Sequence, residues 1–371
     1  MAGGGSGSRD RFPFIDQFRG LIGVMMALGH SSGYFNSLWK SFDMFDPYFA
    51  NMGQFGLRYM GYLCAPGFLM MNGAVSWYSF HRRTVAGASL RSTRWHLIER
   101  GLFLVAVQVI WVNHSWNAFK NWNLAHIGII ATIGISMCML AFLHDKKWWI
   151  RLGVALVTFL VHPMLMNIRY DAGIWWQEVI MQTFVDAGDW NKYPVLPWFG
   201  LACMGSVMAE GWFVRWKTPR QRITWSWGIG LAALLIATVI RLSRGFGNST
   251  EFWQFGHISF FLDSKYPPNL FHNIWFFGTV SFMVGLMHLL GQFMMPAIRW
   301  LGIVGRVPLF FYCLHIPILA FVAKRLNLFY WQGAVTASFV GWVALLLVMV
   351  PLAWWFGRVK ARSKNHLIQL I

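Results

Sequence analysis

RFPFIDQFRGLIGVMMALGH, residues 11–30, decides what kind of chain this is. Its apolar positions continue for about twenty residues, the length that spans the hydrocarbon core of a bilayer. Yet Asp16, Arg19 and His30 are set at or within that run. Ionisable groups inside a membrane helix are costly and usually mark a path or a site. At 100° per residue, Arg19 and His30 fall within about 20° of one face, with Asp16 about 40° beyond His30. Gly23, Met26 and Ala27 share a similar azimuth. Such a stripe of acid, base, small residues and imidazole cannot face lipid and should line a protein-enclosed path. The rise from Arg19 to His30 is about 16 Å. A snorkelling arginine at the helix base plus a hydrogen-bonded core histidine would leave the same pattern, so spacing alone keeps both readings open.

The rest of the chain has the same character. Of its 371 residues, 57% are hydrophobic, 18% aromatic and only 12% charged, with a mean hydropathy of +0.47. Soluble domains carry about 25% charged residues. A soluble globular protein, a disordered chain and a coiled coil are therefore excluded. Apolar runs recur at about 14–33, 57–80, 97–113, 122–143, 147–166, 195–214, 223–242, 271–293, 302–323 and 333–356. They predict an all-α polytopic membrane protein of about ten transmembrane helices. The run at 174–185 is too short to span and is expected at the interface. Residues 1–10 read as a flexible tail, 11–358 as a single transmembrane domain and 359–371 as a basic cytoplasmic tail. No cleavable signal peptide, internal repeat or domain boundary is evident.

The formal charge of +18 has a definite distribution. About two thirds of the lysines and arginines fall in the N-terminal segment (Arg9, Arg11, Arg19), the even-numbered connections and the C-terminal tail. By the positive-inside rule, both termini are cytoplasmic. The excess is a topology signal rather than a nucleic-acid footprint, and no nucleic-acid partner is expected. The segment HRRTVAGASLRSTRWHLIERG, residues 81–101, carries five arginines including Arg82 and Arg83. Arginine contacts phosphate bidentately, so this loop is a candidate cradle for a nucleotide-containing donor. Topology and anionic lipid account for it equally well.

Other polar residues break the apolar background. His315 lies in GRVPLFFYCLHIPIL, with Tyr312 three residues before it. Pro308 and Pro317 loosen that helix. It reads either as a second wall of the same site or as a packed interhelical histidine. Asn72 shares a face of the second helix with Arg58, while Asn113, His114, Asn123, His126, His272 and Asn273 mark outer helix ends. No HxxxH or HxH spacing occurs and the four cysteines form no CxxC pair, so no metal is predicted. External tryptophans form either a sugar-stacking surface or an interfacial belt.

Taken together, these segments resemble a known family. Residues 11–30 look like the first-helix signature of transmembrane acyltransferases, in which an arginine precedes a histidine by ten intervening residues. The chain as a whole is most similar to the bacterial relatives of heparan-alpha-glucosaminide N-acetyltransferase, within the superfamily that includes the acyltransferase-3 family. The matching pieces are FIDQFRG, LRYMGYLCAPGFLMMNGA, ERGLFLVAVQV, ATIGISMCMLA, YPVLPWFGLACMGSVMAE and GRVPLFFYCLHIPIL, in family order over most of residues 11–325. The resemblance implies a multi-pass protein of the bacterial cytoplasmic membrane. It would take an acetyl or short acyl group from cytoplasmic acetyl-CoA or another acyl-CoA. The acceptor would be an amine or hydroxyl of a glycan, amino sugar or lipid on the far side. Membrane lipids are further partners, and a homodimer stays open. His30 becomes the catalytic base and Arg19 a donor contact.

Asp16, Arg82 and Arg83 join Arg19 as candidate donor-binding residues. Asn72, Tyr312, His315, His126 and His272 are candidate pocket or support residues. The length of an extended pantetheine arm is comparable to the Arg19–His30 rise. An anion held at Arg19 could therefore place a thioester at His30. The alternative is a transporter or flippase for a lipid-linked glycan or small metabolite, using the same polar path without chemistry, although inverted repeats of the kind transporters show are not visible. A scaffold without a small-molecule site is disfavoured by the aligned Asp16–Arg19–His30 stripe.

Overall fold

The computed structural model describes residues 12–41, 51–122 and 126–371. Arg9, Arg11 and Asn123, named above, lie outside them, as does the tail over residues 1–10. Among the described residues every regular element is helical, with three isolated backbone bridges and no strand. The main helices are α1 (Pro13–Phe35), α2 (Met52–Val85), α3 (Leu90–Ser115), α4 (Ile129–Leu140), α5 (Trp148–Leu165) and α6 (Trp175–Phe184). They continue with α7 (Val195–Glu210), α8 (Pro219–Leu242), α9 (Leu270–Phe293), α10 (Met295–Arg306), α11 (Pro308–Arg325) and α12 (Val335–Arg362).

Six of these, α3, α5, α8, α9, α11 and α12, are long and apolar enough to cross a membrane, and the chain is a multi-pass membrane protein. The outermost helices turn large apolar side chains away from the protein, Val340 and Leu347 of α12 being 70% and 73% exposed. Such surfaces are stable only against lipid. α1 and α2, at 23 and 34 residues, are also long, but polar residues interrupt their apolar runs.

α1 is the hub. It packs against α2, α9, α10, α11 and α12, and most of its side chains are buried. Its approach to α10 is a backbone contact. A Cβ at Gly20 would overlap the Leu301 carbonyl, and one at Gly305 the Asp16 carbonyl. Gly73 and Gly205 do the same for α2 and α7. Lipid tails give apolar helices little reason to associate, so close packing through small residues does much of that work. Polar contacts fix the far end of α1. The buried amides of Asn36 and Gln54 exchange two hydrogen bonds at 2.9 and 3.1 Å. There Trp331 donates from its indole to the Gly33 carbonyl, and at mid-helix Trp342 donates to the Val24 carbonyl.

Two expected spans differ in form. The run at 302–323 is two helices, because Val307 leaves the helical region (φ −132°, ψ 52°) ahead of Pro308. Proline disfavours helical geometry in the residue before it and brings no N–H of its own. The run at 122–143 contributes only the 12-residue α4. The short run at 174–185 is α6, with 10 residues. Beyond 358, α12 continues to Arg362, and a short helix, His366–Leu370, folds back under the bundle.

Candidate functional site

A cavity of about 1070 Å³ runs beside α1 from one end of the bundle to the other. Its lining begins at Arg19, Arg100, Arg306 and Lys360 and passes His30, Asn72 and Tyr312. It ends among Trp39, Lys40, Lys192, Lys265 and Lys324. The two ends are the two ends of α1, so the continuous hub helix sets the length of the path.

At the first end, Arg19 pairs with Asp16 at 3.6 Å, and Arg306 reaches the same carboxylate at 3.9 Å. Arg19, Arg100 and Lys360 are electrostatic neighbours. Four cations thus line this end, and Asp16, the carboxylate that Arg19 and Arg306 share, is not itself part of the lining. Leu370 and Ile371 complete the wall here, and His366 holds their segment to Glu99 at 2.6 Å.

Midway, Nδ1 of His30 lies 2.7 Å from Nε2 of His315, and Nδ1 of His315 lies 2.9 Å from the Phe311 carbonyl. A carbonyl only accepts, so His315 carries its proton on Nδ1. Neutral His315 then accepts at Nε2, and His30 donates from Nδ1. The lone pair of His30 is left on Nε2. The rings of His30 and His315 are parallel within 2°, and Trp116 closes edge-on to His30 at 4.9 Å between centroids. Tyr312 stands edge-on to both histidines. An imidazole fixed in one tautomer, with its free nitrogen at a cavity, can accept a proton from a bound nucleophile.

Across from it, α3 opens into a π turn over Gln108–Val112. Such turns interrupt the regular ladder and free side chains for other uses. Gln108 lines the cavity, donates to Asn113 Oδ1 at 2.8 Å and accepts from the Ile130 N–H. Asn113 continues the chain of contacts to the His126 carbonyl at 2.7 Å.

At the second end, the connection between α8 and α9 is organised by Arg241 and Asp263, which are fully buried and paired at 2.9 Å. Asp263 also accepts from the backbone of Ser249 and Thr250, and Arg241 donates to the carbonyls of Thr250, Ser259 and Phe260. The pair is fully hydrogen-bonded, which a buried ion pair requires. It frames Lys265, whose ammonium donates to the Gly61 carbonyl at 2.9 Å.

Of the residues singled out from the sequence, Arg19, His30, Asn72, His126 and Tyr312 line this one cavity. His315 touches it through His30. Asp16 acts through Arg19 and Arg306. Asn72 donates to the Ile133 carbonyl at 3.3 Å. His126 is hydrogen-bonded to the Asp189 carbonyl at 2.9 Å. Three candidates are not brought in. Arg82 and Arg83 close the last turn of α2 outside the lining, with Arg82 over the Tyr78 ring. His272 is buried against Tyr62 and Phe276. Arg100 belongs to the arginine-rich segment 81–101 that the sequence offered as a donor cradle, whereas sequence reasoning missed Arg306 and Lys360 as cavity residues, because as helix-end cations they look like topology signals. Gln108 and the second-end lysines gave no motif at all. Among the described residues, no group of three metal-ligating side chains occurs.

Comparison with curated proteins gives no match. The family profile described as heparan-alpha-glucosaminide N-acetyltransferase, catalytic, matches residues 11–243, well over half the chain and including Arg19, His30 and Asn72. The chain therefore belongs to the heparan-alpha-glucosaminide N-acetyltransferase family, and the family implies acetyltransferase activity.

Proposed function

We propose that the protein is a ten-span acyltransferase of the bacterial cytoplasmic membrane with both termini inside. It moves an acetyl or short acyl group from cytoplasmic acyl-CoA to an amine or hydroxyl of a glycan, amino sugar or lipid-linked acceptor outside. The observation that carries this reading is the single cavity with His30 between two cationic ends. The Arg19 end suits the phosphates of CoA, since arginine and lysine complement phosphate charge. Arg100, Arg306 and Lys360 take the donor role there in preference to Arg82 and Arg83, which lie outside the lining. A pantetheine arm running along α1 brings the thioester toward His30, about 16 Å further on.

Nε2 of His30 takes the proton of the acceptor amine or hydroxyl as that nitrogen or oxygen attacks the thioester carbon. Collapse of the tetrahedral adduct breaks the carbon–sulfur bond, and the same proton passes to the sulfur as CoA leaves as its thiol. His315 keeps the proton of His30 on Nδ1 throughout. Tyr312, edge-on to His30, and the amide of Asn72, which lines the same cavity, are candidates to donate to the developing oxyanion. An acetylated His30 would use the same nitrogen and divide the step in two.

His30→Ala and His30→Gln, purified in detergent, test the assignment. Both should retain CoA binding and lose acetyl transfer by about 10²–10⁴-fold, the usual scale for removing a general base. Full activity in either variant would sink it. A transporter could use the same continuous cavity. Cleavage of the acetyl-CoA thioester by the purified protein separates the two readings.

A further inference from the structure

The Arg19 end of the cavity is bounded by a segment that the proposed reaction has not used. α12 stops at Arg362, where Ser363 turns extended (φ −79°, ψ 138°), and the chain reverses into the short helix His366–Leu370. Leu370 and Ile371 then line the cavity together with Arg19, Arg100, Arg306 and Lys360. Leu370 is only 7% exposed, whereas Leu367 is 61% exposed. One end of the short helix is thus set into the mouth of the cavity while the other stands out from it.

What holds the segment there is modest. Ile368 and Ile371 pack against the small apolar cluster of Val307, Ala353 and Phe356. Gln369 donates to the carbonyls of Lys360 and Ser363 at 2.7 and 2.8 Å, so those bonds return to the segment's own root. The tie to the opposite wall runs from His366 to Glu99 of α3 at 2.6 Å, between side chains that are 63% and 36% exposed. Exposed pairs of this kind are weak. Residues 363–371, SKNHLIQLI, contain no aspartate or glutamate, so no side chain of the segment pairs with the four cations it covers. α3 packs chiefly on α4 and α12 chiefly on α1, so the segment crosses between two walls of the mouth. A segment with so few buried contacts opens locally at little cost.

We propose that residues 363–371 are an autoinhibitory lid on the Arg19 end of the cavity. Leu370 and Ile371 are its seal, His366 and Glu99 its latch, and Ser363–Asn365 its hinge. Hinges are commonly a few residues at the end of an element that absorb the backbone change. The closed lid sets apolar side chains against the cations, and the open lid admits a phosphate-bearing ligand to them. The lid stands on the geometry of this end alone. Its control of donor entry rests on the acyltransferase reading.

The test combines thiol labelling of the full-length protein with CoA association kinetics. Leu370→Cys and Leu367→Cys are each labelled with a bulky, charged maleimide, the parent protein giving the background from its four native cysteines. The thiol at 370 should react at least about tenfold more slowly than the one at 367, because it reacts only when the lid is open. Glu99→Gln and His366→Gln should each speed labelling at 370 by about three- to fivefold, the range of one exposed pair, and change it at 367 by less than about 1.5-fold. The exchanged pair, Glu99→His with His366→Glu, should restore protection. In stopped-flow mixing, CoA association should quicken by the same factor in both glutamine variants. Glu99→Gln removes a negative charge from the mouth and His366→Gln does not, so equal acceleration by both is not an electrostatic effect. Equal labelling at 370 and 367, no response to either glutamine variant, or no rescue by the exchanged pair would overturn the lid. Faster labelling with unchanged CoA association would overturn its control of donor entry. Absent CoA binding alongside latch-dependent labelling would instead overturn the acyltransferase reading and leave the lid standing.

Discussion

Nδ1 of His30 lies 2.7 Å from Nε2 of His315, and the carbonyl of Phe311 fixes the far side of that pair. The relay assigns one tautomer to each ring, with no carboxylate needed. His315→Ala removes the acceptor that holds the His30 proton on Nδ1. Acetyl transfer should then fall by about 10–10³-fold in kcat, because part of the population presents N–H rather than a lone pair to the cavity. KM for acyl-CoA should stay within about threefold, since His315 makes no contact with the donor end. Steady-state kinetics with acetyl-CoA as the varied substrate checks both numbers. A change confined to KM would contradict the relay.

The cluster of Arg19, Arg100, Arg306 and Lys360 leads to a second expectation. If it holds phosphates, Arg100→Gln and Lys360→Gln should each weaken CoA binding by about 5–20-fold, the scale of one charge-assisted contact. Both losses should shrink as salt rises, because screening already weakens the wild-type contact. Arg82→Gln and Arg83→Gln should change it by less than about twofold, because neither side chain lines the cavity. Calorimetric titration of CoA at two salt concentrations separates the two sets. The reverse ranking would return the donor site to the loop at the end of α2.

These two cases also mark how far the sequence could be read. Helix positions were legible because lipid demands long apolar runs, and a run of twenty residues is hard to mistake. Arg19 and His30 were legible because charge on so apolar a helix stands out, and their spacing put them on one face. His315 was visible as a buried histidine, but its pairing with His30 joins residues 285 positions apart, which no local pattern encodes. Arg306 and Lys360 reach the cavity only through the way α10 and α12 pack on α1, so in the sequence they were indistinguishable from topology signals. The break at Val307 was signalled by Pro308, yet the apolar run across it hid the boundary. Lys265 lay in a long connection whose order comes from the Arg241–Asp263 pair, a contact 22 residues apart.

The α1–α10 contact should tolerate no side chain. Gly305→Val would push a branched side chain into the Asp16 carbonyl, and Gly20→Val would do the same at Leu301. Overpacking a tight contact costs about 1–3 kcal/mol, and more where the obstacle is backbone. Either variant should lower the melting temperature in detergent by several degrees or abolish a monodisperse peak in size-exclusion chromatography. Gly228→Ala, where nothing lies within 4 Å of the added Cβ, is the control and should be neutral or slightly stabilising. Unchanged stability in Gly305→Val would mean that the two helices are further apart than described.

His144 supplies a pH dependence with a definite sign. It sits in the turn after α4, 4% exposed, with Nε2 3.0 Å from Ser76 Oγ, and burial followed by the Arg151 charge pushes it down to about 3. The unfolded chain would protonate this ring near pH 6.5, while the folded protein resists until about pH 3. Between those values the unfolded state binds the extra proton, so stability falls as pH falls. Each pH unit below 6.5 should cost about 1.4 kcal/mol from this group, an upper figure for full burial. The slope belongs to the whole protein, so the difference between two proteins is what isolates this group. His144→Asn keeps a polar partner for Ser76 but cannot titrate. Its melting temperature should fall less steeply than that of the wild type from pH 7 to pH 5, with the two curves parallel from pH 7 to pH 8. Parallel curves over the whole range would show that His144 is hydrated and protonates freely in the folded state.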